Sequence, residues 1–279
     1  MAEPAYQFTR DAVPRVYDEL LVPRLFGPWA ELLLDAVALG EGERVLDVAT
    51  GPGTVARAAA RRVGPRGRVV ASDRSASMLA VARAKPPVEG GAPIEYVEAA
   101  AESLGAVLAD DEARFDVVLC QQGLQFFPDA ALALRTMRRA LRSAGGGRLG
   151  VAVWSAIEEN GVYAAMRDAL RDAGAPELAT LTAAPFAWPG ARALAAAAGA
   201  AGFRAAHVET RELPLTFERG VAQVHASIAG TPLGPHLAAL PPEPRARFAD
   251  ALKRRLAPLT TAGGAVTSSM RSHVLTAEA

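Results

Sequence analysis
The chain has 279 residues, about half of them apolar, with 30 basic and 30 acidic side chains. That length suits one large domain or a core with a cap, and the balanced charge argues against nucleic acid as main partner, because phosphate binding needs a positive surface. The lone cysteine, Cys120, cannot close an internal disulfide, which suits a reducing cytoplasm, and the four scattered histidines give no metal-ligand spacing.

Residues 12–39 read as helical, since Tyr17, Leu20, Leu21, Leu25 and Trp29 recur near helical spacing while Pro14, Pro23 and Pro28 break the run. The residues before them lack the pattern of a signal peptide, and no apolar run is long enough to span a membrane. From 43 to 154 strand and helix alternate. Strands are expected over 44–49, 67–72, 94–98, 115–120 and 148–154. Helices are expected over 53–63, 75–84 with Ser75 as N-cap, and 129–143, the last stopped by Gly145-Gly146-Gly147. Such β-α units imply a parallel sheet with right-handed crossovers. Beyond 155 the spacing predicts helices over 159–173 and 190–201, then one or two extended pieces over 203–217. Helices interrupted at Thr231-Pro232 and Pro241-Pro242 follow over 219–257, then an extended stretch over 265–276. A late strand returning antiparallel into the sheet fits this order.

The informative stretch is Val45-Leu46-Asp47-Val48-Ala49-Thr50-Gly51-Pro52-Gly53-Thr54, an apolar strand running into a glycine turn that opens a helix. Glycines let a ligand approach the backbone, and the first N–H groups of the helix face it. Gly51-Pro-Gly53-Thr-Val-Ala56 also satisfies the loose dinucleotide pattern, with Asp73 about 20 residues on as a ribose-binding acid. Asp47 separates the two readings. A carboxylate at the strand tip repels a diphosphate and attracts a cationic sulfonium and ammonium, unless it serves only to satisfy loop N–H groups.

VLDVATGPGT resembles motif I of the class I S-adenosylmethionine (SAM)-dependent methyltransferases, with Ala49 in place of the first glycine and Gly51 and Gly53 kept. VVASDRSASML resembles motif II. The resemblance implies Asp73 on the ribose hydroxyls, followed by Arg74, and Met78 near the adenine; helix capping and core packing are the plainer roles for Asp73 and Met78. EYVEAAAESL is similar to the third segment but carries Ala100 where the family often has an adenine-binding Asp. Ala101 still offers its backbone N–H, and Glu102 suits a helix start better than a ligand. FDVVLCQQGLQFFPD resembles the fourth-strand segment, which implies Gln121 and Gln122 beside the methionine of the cofactor. GGGRLGVAVW resembles the fifth strand. The chain is thus similar to the ubiquinone/menaquinone C-methyltransferase-like, small-molecule subgroup. That implies an α/β Rossmann-like, seven-stranded mixed sheet, its last strand antiparallel, flanked by helices under a helical cap. The expected division is a cap over 1–40, a SAM-binding core over 41–217 and 263–279, and a helical lid over 218–262.

Methyl transfer is an in-line displacement at an activated carbon, so alignment and exclusion of water matter most, and a base is needed only for an un-ionised acceptor. His225 and Tyr17 are the candidates for a base or orienting group, each with plain packing as its alternative. Trp154, Gln125, Phe126 and Trp188, with Phe127 and Phe186 beside them, are the candidate substrate wall. Few charges there favour an aromatic, polyketide-like or quinone-like acceptor. The expected partner is that small molecule, with a homodimer left open, no nucleic acid and a cytoplasmic setting. The competing readings are a SAM-binding protein that does not methylate, cyclase-like or regulatory, and an NAD(P) oxidoreductase.

Overall fold
The computed structural model describes residues 12–105, 115–142 and 146–279. Residues 1–11 of the expected cap, and Ser143 and Gly145 at the expected end of the 129–143 helix, lie outside them.

Helices α1 (Ala12–Leu20) and α2 (Gly27–Ala36) are joined by a π-helical turn at Val22–Phe26, where Pro23 and Pro28 interrupt regular bonding. The alternating region follows as β1 (Arg44–Val48), α3 (Thr54–Val63), β2 (Arg68–Asp73), α4 (Ala76–Arg83), β3 (Ile94–Glu98), β4 (Val117–Gln121), α5 (Ala130–Ala140) and β5 (Arg148–Trp154). Ser75 caps α4 by accepting from the Met78 N–H at 3.3 Å, and Asp129 caps α5 by accepting from Leu132 at 2.8 Å. Two boundaries differ from expectation for one reason. Phe115 and Leu141 form an isolated parallel bridge, so Phe115 stands before β4, and α5 ends at Ala140, ahead of the glycines.

After β5 come α6 (Gly161–Asp172), α7 (Pro176–Ala183), α8 (Ala191–Ala200), β6 (Arg204–Phe217), α9 (Gly220–Ser227), α10 (Leu233–Ala238), α11 (Pro242–Leu256) and β7 (Val266–Glu278). Helix α7 was not expected; Pro176 at its first turn is a helix-start residue. Residues 204–217 form one strand rather than two pieces. The seven strands run β3-β2-β1-β4-β5-β7-β6. The first five pair in parallel, and β7 is antiparallel to both β5 and β6. The mixed Rossmann-like sheet with a reversed last strand is therefore present.

The two faces of the sheet carry separate cores. Helices α2 and α3 bury Trp29, Leu33, Leu34 and Val63 against one face, and that core continues into α6 and α11 through Leu170, Phe248 and Leu252. The other face is covered by α5 and α8 through Leu134, Met137 and Leu194. Helix α11 packs on α6, α6 on α7 and α7 on α10. The helical layer thus joins 161–183 to the 218–262 segment.

Candidate active site
The strand order reverses between β1 and β4, and in an open sheet the crevice at such a point takes the ligand. A cavity of about 990 Å³ lies there, at the carboxyl ends of β1, β2 and β4. This is near the upper end of the roughly 300–1,000 Å³ of small-molecule sites.

Its floor is the turn from β1 into α3. Gly51 and Gly53 have positive φ, and a Cβ on Gly53 would come 2.9 Å from the Tyr96 hydroxyl. Ala49 also sits in the left-handed region, at φ 59°, where an alanine is strained. Asp47 lies beneath this turn, not on the cavity wall. Its Oδ2 accepts from the Thr50 hydroxyl at 2.5 Å and the Ala56 N–H at 3.0 Å. Burial lifts its carboxyl to about 7, against those two donors, with a smaller push from Asp73. Asp47 thus braces the loop through Oδ2, and its other oxygen, Oδ1, is buried without a partner.

Asp73, at the end of β2, does border the cavity. It accepts from the Gly51 N–H and the Ser75 N–H, each at 2.8 Å, and burial raises its pKa against them. Ala49, Gly51, Arg74, Met78, Ala101 and Glu102 reach the same cavity, whereas Gly53 and Ala100 lie behind it. Glu102 lies in a turn rather than at the start of a helix of its own, and accepts from the Asp129 N–H of the α5 N-cap at 3.3 Å.

Gln121 and Gln122 end β4 on the opposite rim. The Gln121 Nε2 donates to the Phe26 carbonyl at 2.9 Å, while its Oε1 is buried without a partner. Gln122 has φ 54° and turns its amide into the sheet, donating to the Ser272 hydroxyl at 3.0 Å. Backbone, not side chain, is what it offers the cavity. Beyond these residues the wall is aromatic. The ring of Tyr17 stacks on Phe26 at 4.7 Å, and Trp154 meets Phe26 at 6.1 Å and Trp29 edge-on at 5.6 Å. Tyr17, Trp154, Gln125 and Phe126 all border the cavity.

Two expectations for this wall fail. His225 is exposed on α9, its ring 5.9 Å from Phe248 on α11, and does not border the cavity. The helix carrying it turns its other side, Val224 and Ile228 beyond it, to the core, so His225 is withdrawn as a base. Trp188 packs against the core under α8, and its neighbours Ala184, Pro185 and Ala187 line the cavity in its place. Phe26 was missed, because inside an amphipathic helix nothing distinguishes a wall residue from a core one. Also missed was a latch: the Lys85 ammonium donates to Asp18 of α1 at 2.6 Å and to the Pro52 carbonyl of the glycine loop at 2.8 Å.

Residues 16–227 match the model of the ubiE/COQ5 methyltransferase family. A ubiquinone/menaquinone biosynthesis C-methyltransferase of Hahella chejuensis (strain KCTC 2396) is 38% identical over 143 residues, 50% of this chain and 55% of that protein. The chain spans about half the length of the curated relatives it matches. Among solved structures, a putative methyltransferase from Bacillus halodurans C-125 is 25% identical with a TM-score of 0.56, covering 89% of this chain and 97% of its own. Phosphoethanolamine N-methyltransferase 2 of Haemonchus contortus, solved with phosphomonomethylethanolamine and S-adenosylhomocysteine, shares the fold at 18% identity. Its TM-score is 0.58, over 97% of this chain and 57% of its own.

Proposed function
The chain belongs to the ubiE/COQ5 methyltransferase family, and from that premise we propose that it is a SAM-dependent methyltransferase acting on O, C or N of a small, partly apolar acceptor. The observation that carries this is the match of residues 16–227 to the family model, joined to Asp73, which borders the cavity with its carboxylate bonded to the Gly51 N–H. A ribose is held by such a carboxylate through its hydroxyls. A dinucleotide offers a ribose as well, so the family match is what favours SAM.

When bound, the cofactor supplies a methyl carbon already activated by its sulfonium. The chain supplies position and dryness. Asp73 would accept from the ribose hydroxyls, Met78 and Ala101 would lie beside the adenine, and the unpartnered Oε1 of Gln121 would accept from the ammonium of the methionine end. Tyr17, Phe26 and Trp154 close the outer part of the cavity and keep water from the acceptor, with the Tyr17 hydroxyl orienting it. An aromatic, polyketide-like or quinone-like acceptor suits that wall. The same reading carries a cytoplasmic setting and no part for nucleic acid, supported by the balanced charge and the buried Cys120 thiol, whose pKa burial pushes up. Among the described residues no helix is long and apolar enough to cross a membrane.

The test is an assay of such acceptors with SAM, reading S-adenosylhomocysteine and identifying the product by mass. Methylated product supports the proposal. SAM binding without methylation of any acceptor turns the reading to a SAM-binding protein of another kind, and tighter binding of NADH than of SAM overturns it.

A further inference from the structure
Behind the aromatic wall lies a second, smaller space of about 50 Å³, room for roughly three or four water-sized groups. Tyr17, Phe26, Trp154 and Pro185 border both it and the large cavity, so the two adjoin. Helix α6, the Ala184–Phe186 turn and the start of α10 supply Tyr163, Phe186 and Leu233 to its lining. No charged side chain borders it among the described residues. Three hydroxyls on its border are engaged within their own segments. Thr182 donates to the Leu178 carbonyl at 2.8 Å, Ser227 to that of Val224 at 2.7 Å and Thr231 to that of Ile228 at 2.8 Å. Tyr163 differs. Its ring lies 5.2 Å from Phe186 and is half-buried, with surface left at this chamber. Its hydroxyl bonds to no described residue, and it is not sealed from contact as the unpaired amide of Gln125 is. Burial alone pushes its pKa up, so the phenol keeps its proton and remains a donor.

We propose that this chamber is a specificity pocket for the acceptor, taking a short uncharged side group whose oxygen accepts a hydrogen bond from Tyr163, as a methyl ketone does. The inference rests on the reading above that the outer part of the large cavity receives the acceptor. An acetyl group is of the size of the chamber, and its carbonyl answers the one O–H that Tyr163 has to give. A hydrocarbon group of the same shape fills the space but strands that O–H, and a site built on such a bond discriminates strongly. A carboxylate would lose its hydration there with no cation to pair it.

The experiment is calorimetry on the full chain saturated with S-adenosylhomocysteine, using 4-hydroxyacetophenone and 4-isopropenylphenol, which match in shape and differ by the carbonyl oxygen. The wild type is expected to bind the ketone about tenfold tighter, the worth of one hydrogen bond. Tyr163→Phe keeps the ring and removes the donor. It is expected to bring the two probes within about threefold by weakening the ketone alone, and to bind S-adenosylhomocysteine unchanged. Leu233→Phe, which crowds the chamber, is expected to weaken both probes at least about tenfold with S-adenosylhomocysteine binding unchanged. Equal affinity of the wild type for the two probes means that the phenol holds only water, and overturns the inference. So does a preference that survives in Tyr163→Phe, or binding of neither probe by a chain that binds S-adenosylhomocysteine, and these results leave the cofactor reading standing. A wild type that does not bind S-adenosylhomocysteine sinks the cofactor reading first, and this inference with it.

Discussion

Two buried carboxylates, Asp47 and Asp73, sit one behind the other at the cavity, and burial raises both. Asp73 borders the cavity, so Asp73→Ala is expected to weaken SAM binding by roughly 1.5–3 kcal/mol, read by calorimetry. Unchanged affinity would remove it from the ribose site. Asp47 faces the loop, and its effect is on folding. Its carboxyl ionises near 3.8 in the unfolded chain and at about 7 in the fold. The folded state thus holds a proton that the unfolded state has released, so its contribution is full below the lower value and is lost as pH rises through 7. The ligand-free Tm should fall between pH 5 and pH 8. Asp47→Asn keeps an acceptor for Thr50 and Ala56 and should flatten that fall, which spans at most about 3 kcal/mol over this range. An equal slope in the variant would rule Asp47 out as its cause. The strained Ala49 has its own consequence, since a Cβ on Gly123 would meet the Ala49 methyl at 2.8 Å and the Cys120 sulfur at 3.0 Å. Gly123→Ala should therefore destabilise, and Ala49→Gly in the same chain should restore part of the loss. The coupling should be about 0.5–3 kcal/mol in a double-mutant cycle, as for residues in contact; strict additivity would refute it.

At the level of elements, helix α1 and the π-helical turn after it border one side of the cavity through Tyr17 and Phe26. Helix α1 is held at both ends of the site: Tyr17 stacks on Phe26, and Asp18 pairs with Lys85, which also grips the Pro52 carbonyl. The Asp18 and Lys85 side chains are about four-fifths buried, so the pair is worth more than a surface contact. Lys85→Met should free α1 from the glycine loop and weaken SAM binding roughly tenfold, for about 1.4 kcal/mol, mainly through faster release. A release rate equal to that of the wild type in stopped-flow measurement would place the latch outside the binding cycle. The alternating stretch of the chain was legible at this scale, with β3 and β5 falling on their expected residues, because apolar runs and glycine turns are local signals. Helix α7 was not, since its eight residues, PELATLTA, carry little periodicity and pack on α6 and α10, elements apart from it in the chain. His225 misled for the opposite reason. A histidine on a helix is visible in sequence, but which side of α9 meets the core is set by Phe248 on α11.

For the molecule as a whole, the cavity joins parts of the sheet to parts of the cap, so a bound cofactor should stiffen both. Saturation with S-adenosylhomocysteine at about a hundred times its Kd should stabilise the fold by about 2.7 kcal/mol and raise the Tm by several degrees. The same Tm with and without it would mean that the cavity does not hold the cofactor. The sequence by itself determined the sheet-building order and the place of the glycine turn, because strand, turn and helix are written in short-range patterns of apolar and glycine residues. It also placed Asp73, since an acid ending the second strand has little choice of position. Only the tertiary structure decided which acid borders the cavity, and Asp47 proved to lie under the loop. It alone brought Phe26, Gln125 and Pro185 to one wall, from segments about 60 to 160 residues apart, because side-chain direction there follows from helix-on-helix and turn-on-turn packing rather than from neighbours in the chain.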